Sequence, residues 1–187
     1  MAWMNSEFNS RQVHFLKMKV ILYMAISVNG NITRGKSDSD WVDKADWKMF
    51  HKTITDAGVM IMGSETYKQF ADDFPQKGAL NVVVTSKKEL LSKNIEGALF
   101  TNLKPKELLQ KLSKDGYKQV ALIGGQTLNT SFIREDLVNE VYVDVHPYLI
   151  GEGLRLFNDI KDYFKKLKLL DITKLKNDLV LLHYKIK

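Results

Sequence analysis

An apolar run, Val120-Ala121-Leu122-Ile123, ends in Gly124-Gly125 and passes through Gln126-Thr127-Leu128-Asn129 to Phe132 and Ile133. Strand, double-glycine turn and helix in that order can receive a phosphate. Glycines lack the Cβ that keeps a ligand off the main chain, and a helix start offers free N–H groups and the positive end of a dipole. A nucleotide cofactor is the natural ligand of such a turn, although an ordinary strand-to-helix turn fits the same residues. The common nucleotide fingerprints are missing. After the first apolar strand, Ile26-Ser27-Val28-Asn29-Gly30-Asn31 offers one glycine where a Gly-x-Gly-x-x-Gly loop needs three, and Gly151-Glu152-Gly153 has Leu156 in the third position. There is no Gly-x-x-x-x-Gly-Lys-Ser/Thr loop either.

Composition restricts the chemistry further. The 187 residues contain no cysteine, which excludes disulfides, Cys-ligated zinc, iron–sulfur clusters and thiol catalysis, and fits a cytoplasmic protein. His14, His51, His146 and His183 are scattered without a His-x-x-x-His pair, so no metal site is expected. The net charge is +6, but only four of the 28 basic residues are arginines (Arg11, Arg34, Arg134 and Arg155), which argues against nucleic-acid readout. A diffuse lysine field still attracts a phosphorylated small molecule.

The elements that must position the turn alternate between strand and helix. Residues 1–17 lack a continuous apolar stretch, are neither a signal peptide nor a membrane anchor, and are expected to form a poorly ordered extension ahead of one folded domain, residues 18–187. With 44% hydrophobic residues that domain can bury one substantial core. Strands are expected at 19–27, 58–62, 80–84, 98–101, 118–123, 140–146, 165–172 and 179–185. The last two read as an antiparallel pair about Lys176-Asn177-Asp178. Helices are expected at 44–55, where Trp47, Phe50 and Ile54 have helical spacing, near 66–70, at 105–112 with Pro105 in its first turn, and after the double glycine. The result is an α/β fold, a mostly parallel twisted sheet with helices on both faces and an antiparallel C-terminal pair.

In this order and spacing, several pieces resemble the dihydrofolate-reductase-like superfamily. They are Ala25-Ile26-Ser27-Val28-Asn29-Gly30-Asn31-Ile32, Met62-Gly63-Ser64-Glu65-Thr66-Tyr67, Val84-Thr85-Ser86 and Ile123 to Asn129. Leu137 to Val141, running on to His146-Pro147-Tyr148-Leu149-Ile150-Gly151-Glu152-Gly153-Leu154-Arg155-Leu156-Phe157, looks more like the reductase domain of the bifunctional riboflavin-biosynthesis deaminase/reductase. The deaminase half, with its Pro-Cys-x-x-Cys motif, is not in this sequence.

The resemblance implies a dihydrofolate-reductase-like three-layer sandwich that uses NADPH as hydride donor. Ala25, Gly63, Ser64, Thr66, Gly124, Gly125, Gln126, Thr127 and Leu128 are the implied cofactor contacts, with the pyrophosphate at two helix starts. Thr85, Ser86 and Lys87 stand where the family places the 2′-phosphate. Ser64 occupies a position where dihydrofolate reductases usually carry arginine, a departure that bears on the choice between NADPH and NADH. On the substrate side, Trp41, Asp46 and Phe50 resemble an acid facing a heterocycle beside aromatic walls, with Asp46 as catalytic acid. An acid in the first turn of a helix and aromatics at core spacing are the plainer reading of these three residues. Ser27 and Asn29 are further candidates to bind substrate.

The implied activity is reduction of 5-amino-6-(5-phosphoribosylamino)uracil or a close relative. A dihydrofolate or pterin reductase, another superfamily member and a non-catalytic nucleotide-binding module are the alternatives. A homodimer is also expected, because the 140–146 strand, through Val141, Val143 and Val145, and the 165–172 segment present alternating apolar residues near the end of the sheet.

Overall fold

The computed structural model describes residues 18–70 and 73–187, so the expected 1–17 extension lies outside the described residues. Eight strands form one sheet: β1 Lys19–Ser27, β2 Val59–Gly63, β3 Leu80–Val84, β4 Ala98–Thr101, β5 Gln119–Leu122, β6 Glu140–His146, β7 Leu167–Lys174 and β8 Val180–Ile186. Their order is β4-β3-β2-β5-β1-β6-β8-β7. The six strands from β4 to β6 run parallel, while β8 is antiparallel to both β6 and β7. This is the expected architecture.

Both faces of the parallel part are covered, which is why its strands read as nearly continuous apolar runs. On one face Val20, Leu22, Ile61, Val82 and Leu122 pack with Leu108, Leu109 and Leu112 of helix α4 (Pro105–Lys114) and Phe132 and Ile133 of α5 (Gln126–Arg134). On the other, Tyr23, Met60, Met62 and Val83 pack with Ile54 and Ala57 of α1 (Trp47–Ala57) and Tyr67 of α2 (Ser64–Gln69). Each fully buried Leu, Ile or Phe contributes roughly 1.5–3 kcal/mol of transfer free energy. A short helix α3 (Lys88–Leu91) follows β3.

Three expectations are revised. Instead of one helix from residue 44, a 3-10 turn at Lys44–Asp46 precedes α1, with the Asp43 carboxylate accepting the Ala45 N–H. That break lets Asp46 turn toward the sheet rather than cap the helix, as α1 receives no side-chain hydrogen bond from it. Strand β7 lies two residues later than expected. Finally, Val141 and Val143 are buried by the chain's own packing and Val145 lies against the same core. The exposed apolar residues near the sheet end are on β7: Leu167, Leu169, Leu170 and Ile172. The β7–β8 turn falls where expected, with Asn177 and Asp178 both at positive φ.

Candidate active site

The C-terminal ends of β1, β2, β3 and β5 open on one side of the sheet, where parallel α/β sheets place ligands. Two adjoining cavities lie there. The larger, about 560 Å³, is lined by Gly63, Ser64, Thr66, Thr85, Ser86, Asn102, Gly125, Gln126, Thr127, Leu128 and Ser131, among others. The smaller, about 210 Å³, is walled by Tyr23, Trp47, Phe50, Phe70 and Leu154, with Asp46 and Lys36 on its lining. Glu65, Thr66, Gly125 and Leu154 line both, so they form one continuous cleft.

The double glycine forms the joint. Gly63 N–H donates to the Gly124 carbonyl at 2.8 Å, tying the ends of β2 and β5 together. The Gly124–Gly125 peptide is cis, and Gly124 has φ 102°. A Cβ there would come to 3.0 Å from Sδ of the flexible Met24 side chain, so it is chiefly the positive φ that calls for glycine. Gly125 is the N-cap of α5, and no side chain caps that helix. Its first turn therefore offers backbone donors to the larger cavity, which hydroxyls of Ser64, Thr66, Thr85, Ser86, Thr127 and Ser131 surround. The residues present suit a dinucleotide phosphate chain.

Asp46 is 6% exposed, yet it faces the smaller cavity. Tyr23 Oη donates to Asp46 Oδ2 at 2.9 Å. Burial and then the negative charge of Asp144 push the Asp46 carboxyl up to about 6, against the opposing pull of the Tyr23 hydrogen bond and of His146. Burial, followed by the charge of Asp46, raises the Tyr23 hydroxyl above its ordinary range. Phe50 meets Tyr23 edge-on at 5.5 Å and stacks on Phe70 at 6.3 Å, forming an aromatic wall. Ala25 also lines this cavity.

Several expected site residues sit elsewhere. Ser27 Oγ donates to Asn29 Oδ1 at 2.8 Å, and Asn29 exchanges hydrogen bonds with the Ile150 backbone, so both side chains are spent joining two loops and neither lines the cleft. Trp41 also lies off the lining, its indole N–H donating to the Asp38 carbonyl and its ring edge-on to His146 at 5.3 Å. Trp47 takes the wall position instead. The Lys87 ammonium is paired with Glu65 at 2.7 Å and is not on the cavity lining, whereas Thr85 and Ser86 are. Gly124 shapes the turn from behind the lining.

Other site residues escaped the sequence reading. Tyr23 was hidden in an apolar strand, Lys36 in a loop without motif and Asn102 just past β4, while Leu154 lay inside the 146–157 motif with no role assigned to it. Gly153 is a second tight position. A Cβ there would fall 1.9 Å from the Thr33 carbonyl oxygen, because the 151–155 segment lies directly against the loop after β1.

The sequence model of the RibD C-terminal domain matches residues 18–181. The chain belongs to the RibD C-terminal domain family. It is 27% identical over 178 residues to the uncharacterised protein YwjB of Bacillus subtilis (strain 168), a match covering 90% of this chain and 98% of that one. Among solved structures it is similar to Acinetobacter baumannii RibD, with TM-score 0.76 and 23% identity, covering 91% of this chain and 58% of that chain. It is also similar to the diaminohydroxyphosphoribosylaminopyrimidine deaminase/5-amino-6-(5-phosphoribosylamino)uracil reductase of Thermotoga maritima, with TM-score 0.73 and 17% identity, covering 97% of this chain and 60% of that chain. At these identities the two structures establish the RibD reductase-type fold. No helix among the described residues is long and apolar enough to cross a membrane.

Proposed function

We propose that this member of the RibD C-terminal domain family is an NADPH-dependent reductase of a small heterocycle, of the 5-amino-6-(5-phosphoribosylamino)uracil reductase type. The observation that carries the reading is the continuous cleft. A hydroxyl-lined trough at an uncapped helix start runs into an aromatic cavity holding a buried acid. The α5 N-terminus, Ser64, Thr66 and Thr127 would hold the pyrophosphate, and Thr85, Ser86 and Asn102 the adenosine end. NADPH, when bound, supplies a hydride.

The aromatic residues Tyr23, Trp47, Phe50 and Phe70 exclude water and hold a planar ring. In the ribosylaminopyrimidine reaction the ribose opens to an imine. Reduction adds a hydride to C1′, the C=N π bond becomes a C–H bond, and the nitrogen takes a proton. Asp46 is the acid that faces the reacting volume. A specific observation supports a pterin as second substrate: among the residues lining the smaller cavity Lys36 is the one cation, a sparse setting for a sugar phosphate. Cofactor oxidation measured with the pyrimidine ribosyl phosphate and with dihydrofolate side by side decides between them. Turnover of the first alone is expected, and turnover of dihydrofolate alone would reverse the assignment.

The assembly proposed is a homodimer formed through the exposed apolar residues of β7, an edge strand.

A further inference from the structure

Behind Asp46 the sheet buries two polar side chains that the reduction described above does not use. In the β1–β6 register Ala25 lies opposite Asp144 and Ser27 opposite His146, while on the other side Leu181 of β8 lies opposite Asp144. Asp144 and His146, two residues apart on one strand, therefore share a face. Both are fully buried. The strand neighbours of Asp144 are an alanine and a leucine, which offer no side-chain hydrogen bond, so its carboxyl must be satisfied from the layer above or at its own strand end. A charge buried in such a place costs several kcal/mol unless it is paired.

One oxygen is accounted for. His146 Nε2 lies 2.7 Å from Asp144 Oδ2. The Asp43 backbone N–H faces His146 Nδ1 at 3.5 Å, which leaves Nε2 as the ring nitrogen that donates to the carboxylate. The other oxygen, Asp144 Oδ1, is buried and no N–H or hydroxyl donor among the described residues reaches it. The register places Asp144 beside Ala25, on the same sheet face as Tyr23, whose hydroxyl holds Asp46, so the Asp46 carboxyl is the neighbouring group with a proton to give. Two ionised carboxylates are both acceptors and cannot bond; with one proton between them they can.

We propose that Asp144, fixed by His146, is a positioning residue that holds a proton on Asp46, so that Asp46 faces the cavity as a neutral acid. The hydrogen bonds then run in one consistent sense. Tyr23 Oη donates to Asp46 Oδ2, Asp46 donates its proton to Asp144 Oδ1, His146 Nε2 donates to Asp144 Oδ2, and the Asp43 N–H donates to His146 Nδ1. The two carboxyls then share one negative charge, on Asp144, and the orphaned oxygen is satisfied. The other titratable groups near Asp46 are Tyr142, stacked on Tyr23 at 5.4 Å, and, around the cavity, Lys36 and Glu65. None of these is positioned in the chain of hydrogen bonds.

The use of this proton in catalysis rests on the reductase reading, but its location does not, and the test needs neither cofactor nor substrate. Infrared difference spectra of the full chain, titrated from about pH 5 upward where ordinary carboxyls are already ionised, should show a carboxylic C=O band that shifts in D2O and disappears with a midpoint near 6. Asp46→Asn should abolish the band. Asp144→Asn should lower its midpoint by about one unit or more, because the charge that retains the proton is gone. His146→Leu should raise the midpoint, since a second charge on the pair loses its donor; this variant decides the matter should Asp144→Asn fail to fold. A purely structural role would not move the two midpoints in opposite directions. No such band in the native protein, a band that survives Asp46→Asn, or a midpoint unmoved in folded Asp144→Asn or His146→Leu would overturn the assignment.

Discussion

Lys87 Nζ lies 2.7 Å from Glu65 Oε1, and Lys68 holds the other oxygen of the same carboxylate at 2.8 Å. The hydrogen bonds from Lys68 and then Lys87 keep the Glu65 carboxyl below the usual range, and Glu65 in turn raises the Lys87 ammonium. Lys87 thus neutralises an acid at the joint of the two cavities rather than standing free to meet a 2′-phosphate. Ser86 remains on the lining of the larger cavity. Lys87→Ala is therefore expected to change NADPH affinity less than about threefold, as exposed ion pairs contribute little. Ser86→Asp should weaken NADPH about tenfold or more while leaving NADH within about threefold, since only NADPH carries the extra phosphate. Equal losses for both cofactors, measured by fluorescence titration, would place the 2′-phosphate elsewhere.

The two glycines of the turn should fail in different ways. Gly124 combines φ 102° with a Cβ position 3.0 Å from Met24 Sδ, whereas Gly125 has ordinary space, Thr66 Oγ1 at 3.5 Å. Gly124→Ala is expected to destabilise the fold by about 1–3 kcal/mol, read as a lowered thermal midpoint. Gly125→Val should remain folded by circular dichroism but lose nucleotide binding, because its branched side chain projects where both cavities meet. Unchanged NADPH affinity in Gly125→Val would remove the turn from the cofactor site.

The strands of the parallel sheet were legible because burial on both faces writes itself as β-branched apolar runs, and the double glycine was legible because Gly124 takes a positive φ that side chains disfavour. The cleft lining on the strand ends followed from those two features. Long-range packing was not legible. Trp47, the first residue of α1, reaches the cavity, whereas Trp41 is held in the loop before it by the Asp38 carbonyl and His146, contacts that residue spacing does not show. Ser27 and Asn29 looked like free polar groups at a strand end, but the backbone of Ile150, more than a hundred residues away, claims Asn29. The Asp144–His146 pair was hidden for the same reason, since alternate residues of an apolar strand give no sign of the carboxyl above them.

The raised Asp46 carboxyl makes stability pH-dependent with a defined sign. The native state binds this proton up to about 6, whereas an unfolded aspartate releases it near 3.8. Between those values the native state holds more protons, so stability falls as pH rises and the full cost is present above about 6. Asp46→Asn should remove that decline, flattening urea-unfolding stability between about pH 4 and 6.5 relative to the native protein. In the reductase assay the same variant should lose about 10²-fold or more in kcat/KM, with NADPH affinity within about twofold, as expected for an acid outside the nucleotide trough. Persistence of the decline in Asp46→Asn would assign it to another group.

Among the described residues the sheet ends at β7, which pairs with β8 on one side and has no strand on the other. An exposed edge strand ordinarily carries charge or a bulge to discourage association. Here Lys168, Asp171 and Lys174 supply some charge and the register shifts between Leu169 and Asp171, yet Ile172 is 58% exposed and Phe164, just before the strand, 91%. Leu167, Leu169 and Leu170 add to that surface. Burying it against a second copy by a two-fold axis would use each residue twice, the economical route to a closed interface above about 1,200 Å². Light scattering at micromolar concentration should give twice the chain mass. Leu170→Lys with Ile172→Lys should yield a folded monomer, because neither side chain contributes to the core. A monomer mass for the native chain would defeat the dimer and leave the cleft assignment untouched.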